Sequence, residues 1–347
     1  MDTGTNTEHV DFEGRAHWGK TIVPGDDDID GNGHGTHCSG TIAGKKYGVA
    51  KKANVYAVKV LNSQGAGSMS DVVKGVEYAA ESHLKKVKDA KGRKGKGFKG
   101  STANMSLGGG KSPALDAAVN GAVTMGLHFA VAAGNDNADS CNYSPAASEQ
   151  AVTVGASTLF DERAYFSNFG TCVDIFAPGL NILSTWIGSK YAVNTISGTS
   201  MASPHIAGLL AYYLSLQPSQ DSEYAVAEIT PKKLKENLLS VGTEGALTGI
   251  PSDTKNILAW NGGGLSNYSA IIDAGGHSIK KDSQPTTVNI PLTMDDLKAV
   301  VEEDLNIASG EIVNGAKSAL SKAEKFSQKI HDSINRDFDE IFEAGQL

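Results

Sequence analysis

Short apolar runs alternate with longer amphipathic stretches along the first 260 residues of the chain. The short runs are rich in Val, Ile, Ala and aromatic residues and are bounded by turn-forming residues, which predicts strands at 53–61, 102–107, 127–133, 151–157 and 173–179. Apolar side chains recur at helical spacing over 70–88, and a buried helix is predicted around 206–216. Buried strands that alternate with helices predict a three-layer α/β fold, in which a mostly parallel sheet carries helices on both faces.

The pattern changes after Trp260. The stretch NGGGLSNYS is typical of a flexible exit from a domain, and apolar positions recur at helical spacing again from about Glu311. We therefore predict a core domain over 1–261 and a C-terminal extension over 262–347, made of a flexible linker and an amphipathic helix. The helix would pack on the core or on a partner. Disorder is the alternative, because 295–347 holds twelve acidic and six basic residues.

Charge and apolar content narrow the function classes. The formal net charge of −8 argues against a general nucleic-acid-binding protein. No apolar run approaches the roughly 20 residues of a membrane span, so no membrane partner is expected. Met1 does not open a secretory signal, which indicates either a cytosolic protein or one whose front has been removed. Eight basic residues within 85–100 predict a solvated surface loop, with a basic docking or cleavage site as the alternative.

The three cysteines, Cys38, Cys141 and Cys172, cannot all pair within one chain. One disulfide with one free thiol is the natural oxidised arrangement, and three reduced cysteines are the alternative.

Three stretches carry candidate chemistry. In SGTSMASPHIAGLL a Gly-Thr-Ser turn places Ser200 at the start of an apolar helix, where free N–H groups face whatever the serine attacks. In DGNGHGTHCSG glycines flank His34 and leave its imidazole accessible. In AVAAGNDN a strand runs into Asn135, whose amide can donate to a developing oxyanion. The alternatives are a helix-capping serine, a structural histidine and a turn asparagine.

Asp2, His34 and Ser200 occur in the order Asp…His…Ser, which is one of the known chain orders of a serine-protease triad. Together the motifs MDTGTN, GNGHGTHCSGTIAG, SLGGG, AAGND, SNFGTCVDIFAPG and SGTSMASPH resemble the subtilase family of serine proteases. Within this family, the chain most resembles the proteinase K-like fungal vacuolar proteases, which are relatives of cerevisin. The resemblance covers about residues 2–261 and implies a subtilisin-like fold.

The resemblance implies a broad-specificity serine endopeptidase that works through an acyl-enzyme intermediate. Ser200 would be the nucleophile, His34 the general base and Asp2 the group that orients the imidazole, while Asn135 would contribute to the oxyanion hole. No cofactor is needed for this chemistry. A catalytically silent subtilase fold that binds peptides is the alternative function, and a docking protein that uses the basic loop at 85–99 is a further one.

The resemblance also implies the walls of a substrate cleft. Two segments would pair with an extended peptide, Gly65-Ala66-Gly67 and Ser106-Leu107-Gly108. Ala132, Ala133 and Gly134 would line an apolar S1 pocket, which predicts a preference for aromatic or aliphatic side chains before the cleaved bond.

Further assignments follow from the same resemblance. Cys38 would be a free thiol beneath the catalytic histidine, which predicts sensitivity to mercurials, and Cys141 would pair with Cys172. A structural calcium site would use the Asp174 carboxylate and the carbonyls of Glu149 and Ala151, although the proline usual at the first carbonyl position is Glu149 here. Asn267 is the best glycosylation candidate among the sequons.

In this family a central strand precedes the catalytic Asp, and here Asp2 stands second in the chain. We therefore expect a truncated zymogen sequence without its signal and its N-terminal propeptide, which would inhibit the enzyme and aid folding. Without that strand, the 347-residue chain is expected to fold poorly or to be inactive. The expected enzyme is a monomer of the vacuole lumen or, alternatively, a secreted protein, and members of this fungal branch recur as allergens. The resemblance to the fungal family also implies that a C-terminal segment, here 262–347, is trimmed during maturation.

Overall fold

The computed structural model describes residues 1–92, 97–217, 229–265 and 267–277. The α/β prediction is confirmed, and each of the five predicted strands is present within about two residues of its expected bounds. The helix predicted at 70–88 spans Met69–Lys91, and the one predicted around 206–216 spans Thr199–Ser215. The amphipathic helix predicted beyond Glu311 lies outside the described residues.

The elements are numbered here in chain order. The strands are β1 (Ala16–Thr21), β2 (Val55–Lys59), β3 (Thr102–Met105), β4 (Gly109–Gly110), β5 (His128–Ala132), β6 (Tyr143–Ser144), β7 (Val152–Ser157), β8 (Ile175–Pro178), β9 (Ile182–Thr185), β10 (Val193–Ile196), β11 (Thr243–Glu244) and β12 (Ile257–Leu258). The helices are α1 (His34–Ala43), α2 (Met69–Lys91), α3 (Pro113–Thr124), α4 (Thr199–Ser215), α5 (Pro231–Ser240) and α6 (Tyr268–Ala274).

A six-stranded sheet with the order β11-β12-β8-β7-β5-β3 forms the centre of the fold. Its strands pair in parallel except for β11, which is antiparallel to β12. β1 and β2 form a separate parallel pair, and β9 and β10 form an antiparallel one. Because parallel strands end at the same edge of a sheet, the residues after β3 and β5 come together there.

The sheet is covered on both faces because its strands alternate between two cores. In β5, Ala130 belongs to the core beneath α4, while Phe129 and Val131 belong to the core beneath α2 and α3. Helix α4 is buried along most of its length, as its nearly uninterrupted apolar sequence predicts. Helix α3 begins at a serine cap, since the Ser112 side chain accepts a hydrogen bond from Leu115 N, with a proline in the first helical position.

Residues 1–2 lie between β2 and β3. Asp2 N donates to Val58 O at 3.1 Å and Asp2 O accepts from Val60 N at 3.0 Å, while the amino group of Met1 donates to Asn104 O at 2.9 Å. These contacts place the Asp2 carboxylate beside the carboxyl ends of β2 and β3.

The core extends beyond the predicted boundary at Asn261. Helix α6 packs on it through Ile271, which is fully buried, and through Tyr268, whose ring stacks edge-on against Tyr213. Residues 262–265 and 267–277 are therefore part of the core unit and not of a separate extension. The apolar residues of α6 had no local signal to show which surface they cover. Over the described residues, no helix combines the length and apolarity that crossing a bilayer requires.

Candidate active site

The structure brings Asp2 and His34 together. His34 opens α1, and its Nδ1 lies 2.7 Å from Asp2 Oδ1. Gly35 allows this approach, because a Cβ there would lie 2.1 Å from Gly4 O. The ring is partly exposed, while the Asp2 side chain is almost fully buried.

The two groups shift each other's protonation. Burial by itself would lower the pKa of His34, but the adjacent Asp2 carboxylate outweighs it and raises that pKa well above its ordinary value. Burial would likewise raise the pKa of Asp2, but the imidazole and the hydrogen bond from Thr3 N hold it below its ordinary value. Between the lowered pKa of Asp2 and the raised pKa of His34, the pair is therefore a carboxylate facing an imidazolium.

Hydrogen bonds to the Asp30 carboxylate connect the segment that follows Asp2 to the start of α1. Its Oδ1 accepts from Thr3 Oγ1 and from the N–H groups of Asn32 and Gly33, and its Oδ2 accepts from Thr36 N and Thr36 Oγ1 at 2.9 and 2.6 Å. Thr3 Oγ1 in turn accepts from Gly35 N at 2.9 Å. One buried carboxylate thus fixes both chain segments that meet at the Asp–His pair.

Ser200 lies in the first turn of α4, after Gly198 (φ +152°). Its hydroxyl donates to Ser106 O at 3.2 Å instead of to His34, and its carbonyl accepts from Ser106 Oγ at 2.6 Å. The thiol of Cys38 lies between Ser200 and His34. Its Sγ is 3.4 Å from Ser200 O and 4.0 Å from His34 Nδ1. The thiol is free and 2% exposed, and burial raises its pKa, so it is neutral at physiological pH.

Asn135 lies beside the same turn with a defined orientation. Its Oδ1 accepts from Thr199 N at 2.8 Å and from Thr199 Oγ1 at 2.9 Å, which leaves the amide NH₂ group to donate. The backbone before it turns at Gly134 (φ +108°), where a Cβ would lie 2.2 Å from the amide nitrogen of Asn168. Asn168 is fully buried and its Oδ1 accepts from Asp136 N and Ala138 N, so it fixes the loop that carries Asn135.

A cavity of about 400 Å³ adjoins His34. Both predicted cleft segments line it, namely Gly65, Ala66, Gly67, Ser106, Leu107 and Gly108. The third predicted segment lies outside this lining. Ala132 and Ala133 are buried, and Ala133 packs against Val173, Phe176 and Leu247, while Gly134 is half-buried.

The structure joins Cys141 and Cys172 in a disulfide. Asn267, the predicted glycosylation site, is exposed, but it is the N-cap of α6 and not part of a flexible linker, because its Oδ1 accepts from Ser269 N and Ala270 N. Its glycosylation stays a prediction.

The three predicted calcium ligands converge, but they do not fit a calcium ion as the chain stands. Glu149 O, Ala151 O and the Asp174 carboxylate all surround the ammonium group of Lys235, which takes the position expected for the ion. The pattern of ligand positions in the sequence could not reveal this, because Lys235 comes from α5, far along the chain.

Sequence reasoning missed the residues that hold the site in place. Asp30 and Thr3 stand inside the quoted histidine and aspartate motifs, and Asn168 stands inside SNFGTC, so each was visible without a role. Thr199 is the residue next to the proposed nucleophile. Proximity to a catalytic motif was the available signal.

Comparisons with known proteins identify a matching family and similar proteins. The model of the Subtilase family matches residues 1–252. The chain is 66% identical over 342 residues to "Subtilisin-like proteinase Spm1" of Pyricularia oryzae, which covers 99% of this chain and 64% of that protein. It is 80% identical over 277 residues to "Subtilisin-like serine protease Pen c 2" of Penicillium citrinum, which covers 80% of this chain and 61% of that protein. The chain thus spans less than two thirds of these relatives' length.

A solved structure is also similar. The crystal structure of a cold adapted subtilisin-like serine proteinase matches with a TM-score of 0.64 and 44% sequence identity, over 74% of this chain and 85% of that one.

Proposed function

The chain belongs to the subtilase family, and on this premise we propose that it is a serine endopeptidase that hydrolyses peptide bonds through Asp2, His34 and Ser200. The observation that carries the proposal is the 2.7 Å contact between Asp2 and His34 next to a serine at the start of a buried helix. The thiol of Cys38, which lies 4.0 Å from His34 Nδ1 and 3.4 Å from Ser200 O, supports a site shared by the three residues.

The proposed reaction begins at Ser200. The Nδ1–H of His34 donates to Asp2 Oδ1, which leaves Nε2 as the base. The hydroxyl of Ser200 turns from Ser106 O towards Nε2, gives up its proton and attacks the scissile carbonyl carbon. The resulting oxyanion accepts from the Asn135 NH₂ group and from Ser200 N. His34 then returns the proton to the leaving amine, and a water molecule hydrolyses the acyl-enzyme in the same way.

We propose that the cavity beside His34 binds an extended peptide. The segments 65–67 and 106–108 line it and hold three glycines, so a substrate backbone can approach closely and pair with theirs. Because backbone pairing does not read side chains, broad specificity is expected. The preference for apolar residues before the cleaved bond rests on the family resemblance alone, since Ala132, Ala133 and Gly134 lie outside the lining of this cavity. Cleavage of a peptide series measures this, and a strong preference for two basic residues would contradict it.

Labelling with a fluorophosphonate probe tests the activity. The probe should bind covalently to the native chain and fail to label Ser200→Ala. Ser197→Ala is the matched control, because this exposed serine lies three positions before the nucleophile, and it should label normally. A silent binding protein, the alternative function, would bind peptides without labelling in any variant.

We further propose that the whole protein acts as a monomer in the vacuole lumen or outside the cell and that an N-terminal propeptide inhibits it and aids its folding. The resemblance to the fungal branch supports these proposals. Cell fractionation with a vacuolar marker and gel filtration test the first two. Adding a separately produced propeptide to the chain tests the third, which requires inhibition or a better yield on refolding.

A further inference from the structure

We propose that the ammonium group of Lys235 takes the place of a structural calcium ion, so that this chain is stabilised at this site by an internal cation. The proposal concerns stability and does not depend on the proposed function. It starts from the side chain of Lys235, which extends from α5 and is only 17% exposed.

The ammonium group satisfies all three of its donors with oxygen acceptors. Lys235 Nζ lies 2.9 Å from Glu149 O, 2.5 Å from Ala151 O and 2.7 Å from Asp174 Oδ2. An ammonium has three N–H donors and no acceptor, so these contacts complete its hydrogen bonding. The same two carbonyls and the same carboxylate are the ligands that the family resemblance assigns to calcium.

A second cation completes the surroundings of Asp174. Lys255 Nζ lies 3.0 Å from Asp174 Oδ1, and Thr153 N donates to Oδ2 at 3.1 Å. Both carboxylate oxygens are therefore engaged, and two ammonium groups face one carboxylate whose side chain is 9% exposed.

This arrangement disfavours calcium for two reasons. Calcium takes six to eight oxygen ligands at roughly 2.3–2.6 Å, whereas these contacts supply three oxygens at hydrogen-bond distances from a nitrogen. A calcium ion would also have to displace one ammonium group and remain close to the other, on Lys255, and like charges repel in a partly buried site.

The contacts of Lys235 therefore connect three elements of the fold without a free ion. Glu149 and Ala151 lie just before β7, Asp174 lies just before β8, and Lys235 joins both to α5. The stabilisation by a bound metal depends on its free concentration c, because it equals RT ln(1 + c/Kd). A covalently attached ammonium group carries no such dependence, so chelators should leave this part of the fold unaffected.

Thermal unfolding in a Ser200→Ala background, which prevents self-digestion, tests the proposal. Tm is measured in excess EGTA and in millimolar calcium chloride. The parent should show the same Tm in both. Lys235→Met keeps the aliphatic stem but leaves two carbonyls and a carboxylate without their cation, so its Tm in EGTA should fall by about 5 °C or more. Calcium should restore part of that loss.

Lys233→Met is the matched control. It removes the same charge from the same helix, but Lys233 is exposed, and its Tm should change by less than about 2 °C without any response to calcium. A Tm for Lys235→Met equal to that of this control would overturn the proposal.

Direct calcium titration of the parent decides the question even if Lys235→Met does not fold. The parent and Asp174→Asn are titrated by calorimetry. Equal heats in the two, or none, support the proposal, because Asp174 then binds no calcium. Calcium binding by the parent that disappears in Asp174→Asn would overturn it.

Discussion

Substitution of Asn135 tests the proposed oxyanion site most directly. Its oxygen is engaged by two donors of Thr199, at 2.8 and 2.9 Å, so its NH₂ group is the one left to donate. Loss of one oxyanion donor lowers kcat by about 10²–10³, which corresponds to about 2.7–4 kcal/mol. We expect Asn135→Ala to lose this much in kcat with KM nearly unchanged, because the negative oxygen exists only in the transition state.

Two further variants distinguish the role of the Asn135 NH₂ donor from that of Thr199, which orients the amide. Asn135→Asp keeps an acceptor for both Thr199 donors but cannot donate at neutral pH, so it should be at least as slow as Asn135→Ala. Thr199→Val removes the hydroxyl and keeps the backbone donor, so one of the two bonds that orient the amide remains. A neutral hydrogen bond contributes about 0.5–1.5 kcal/mol, which predicts a kcat only about two- to tenfold lower.

The assay is steady-state hydrolysis of a chromogenic peptide amide, with kcat and KM determined separately and the folded fraction of each variant measured by active-site titration. The reasoning fails if Asn135→Asp retains more than about a tenth of the native kcat, or if Asn135→Ala loses activity through KM instead. An equal loss in Thr199→Val and Asn135→Ala would show that orientation alone, and not donation, is at stake.

Further predictions concern the groups around this site. The pKa of His34 is raised by its carboxylate neighbour, and only the neutral imidazole acts as a base, so kcat/KM should rise with pH through a midpoint above 6.5; a pH profile with a lower midpoint contradicts this. Cys38 lies against the histidine, so a mercurial should inhibit the native chain and spare Cys38→Ala; equal inhibition of both refutes the assignment. Asp30→Asn puts an amide NH₂ group against donors that face a carboxylate in the native chain. Urea unfolding should show that the variant loses about 2–4 kcal/mol in free energy of unfolding, whereas an unchanged midpoint would show that these bonds are dispensable. Reduction of the Cys141–Cys172 bond, which spans 31 residues, should cost about 3–4 kcal/mol by the same assay, and an equal midpoint in the reduced protein argues against it.

Local pattern was enough to predict the strands β2, β3, β5, β7 and β8. The run 151–157 holds β-branched and small residues and is bounded by polar residues. This pattern favours a buried strand, as β7 shows. The short strand β1, AHWGKT, was missed because its burial is irregular and its pairing with β2 is interrupted between Trp18 and Lys20. Such a strand depends on its partner and carries little periodicity of its own.

The end of the core was misplaced for a related reason. Glycines at 262–264 are typical of a linker, yet Gly262 lies against Ile271, where a Cβ would come within 2.8 Å of that side chain. A single sequence cannot distinguish a glycine that makes a linker flexible from a glycine that allows close packing.

The sequence by itself determined which residue types could perform the chemistry and where each stands relative to a strand end or a helix start, since these depend on neighbours along the chain. Only the tertiary structure decided which groups touch: Ser106 with Ser200, 94 residues apart, Asp30 with Thr3, and Lys235 with Asp174. The physical reason is that hydrogen bonds and ion pairs act over a few ångströms, and packing of the whole sheet and its helices is what brings distant segments within that range.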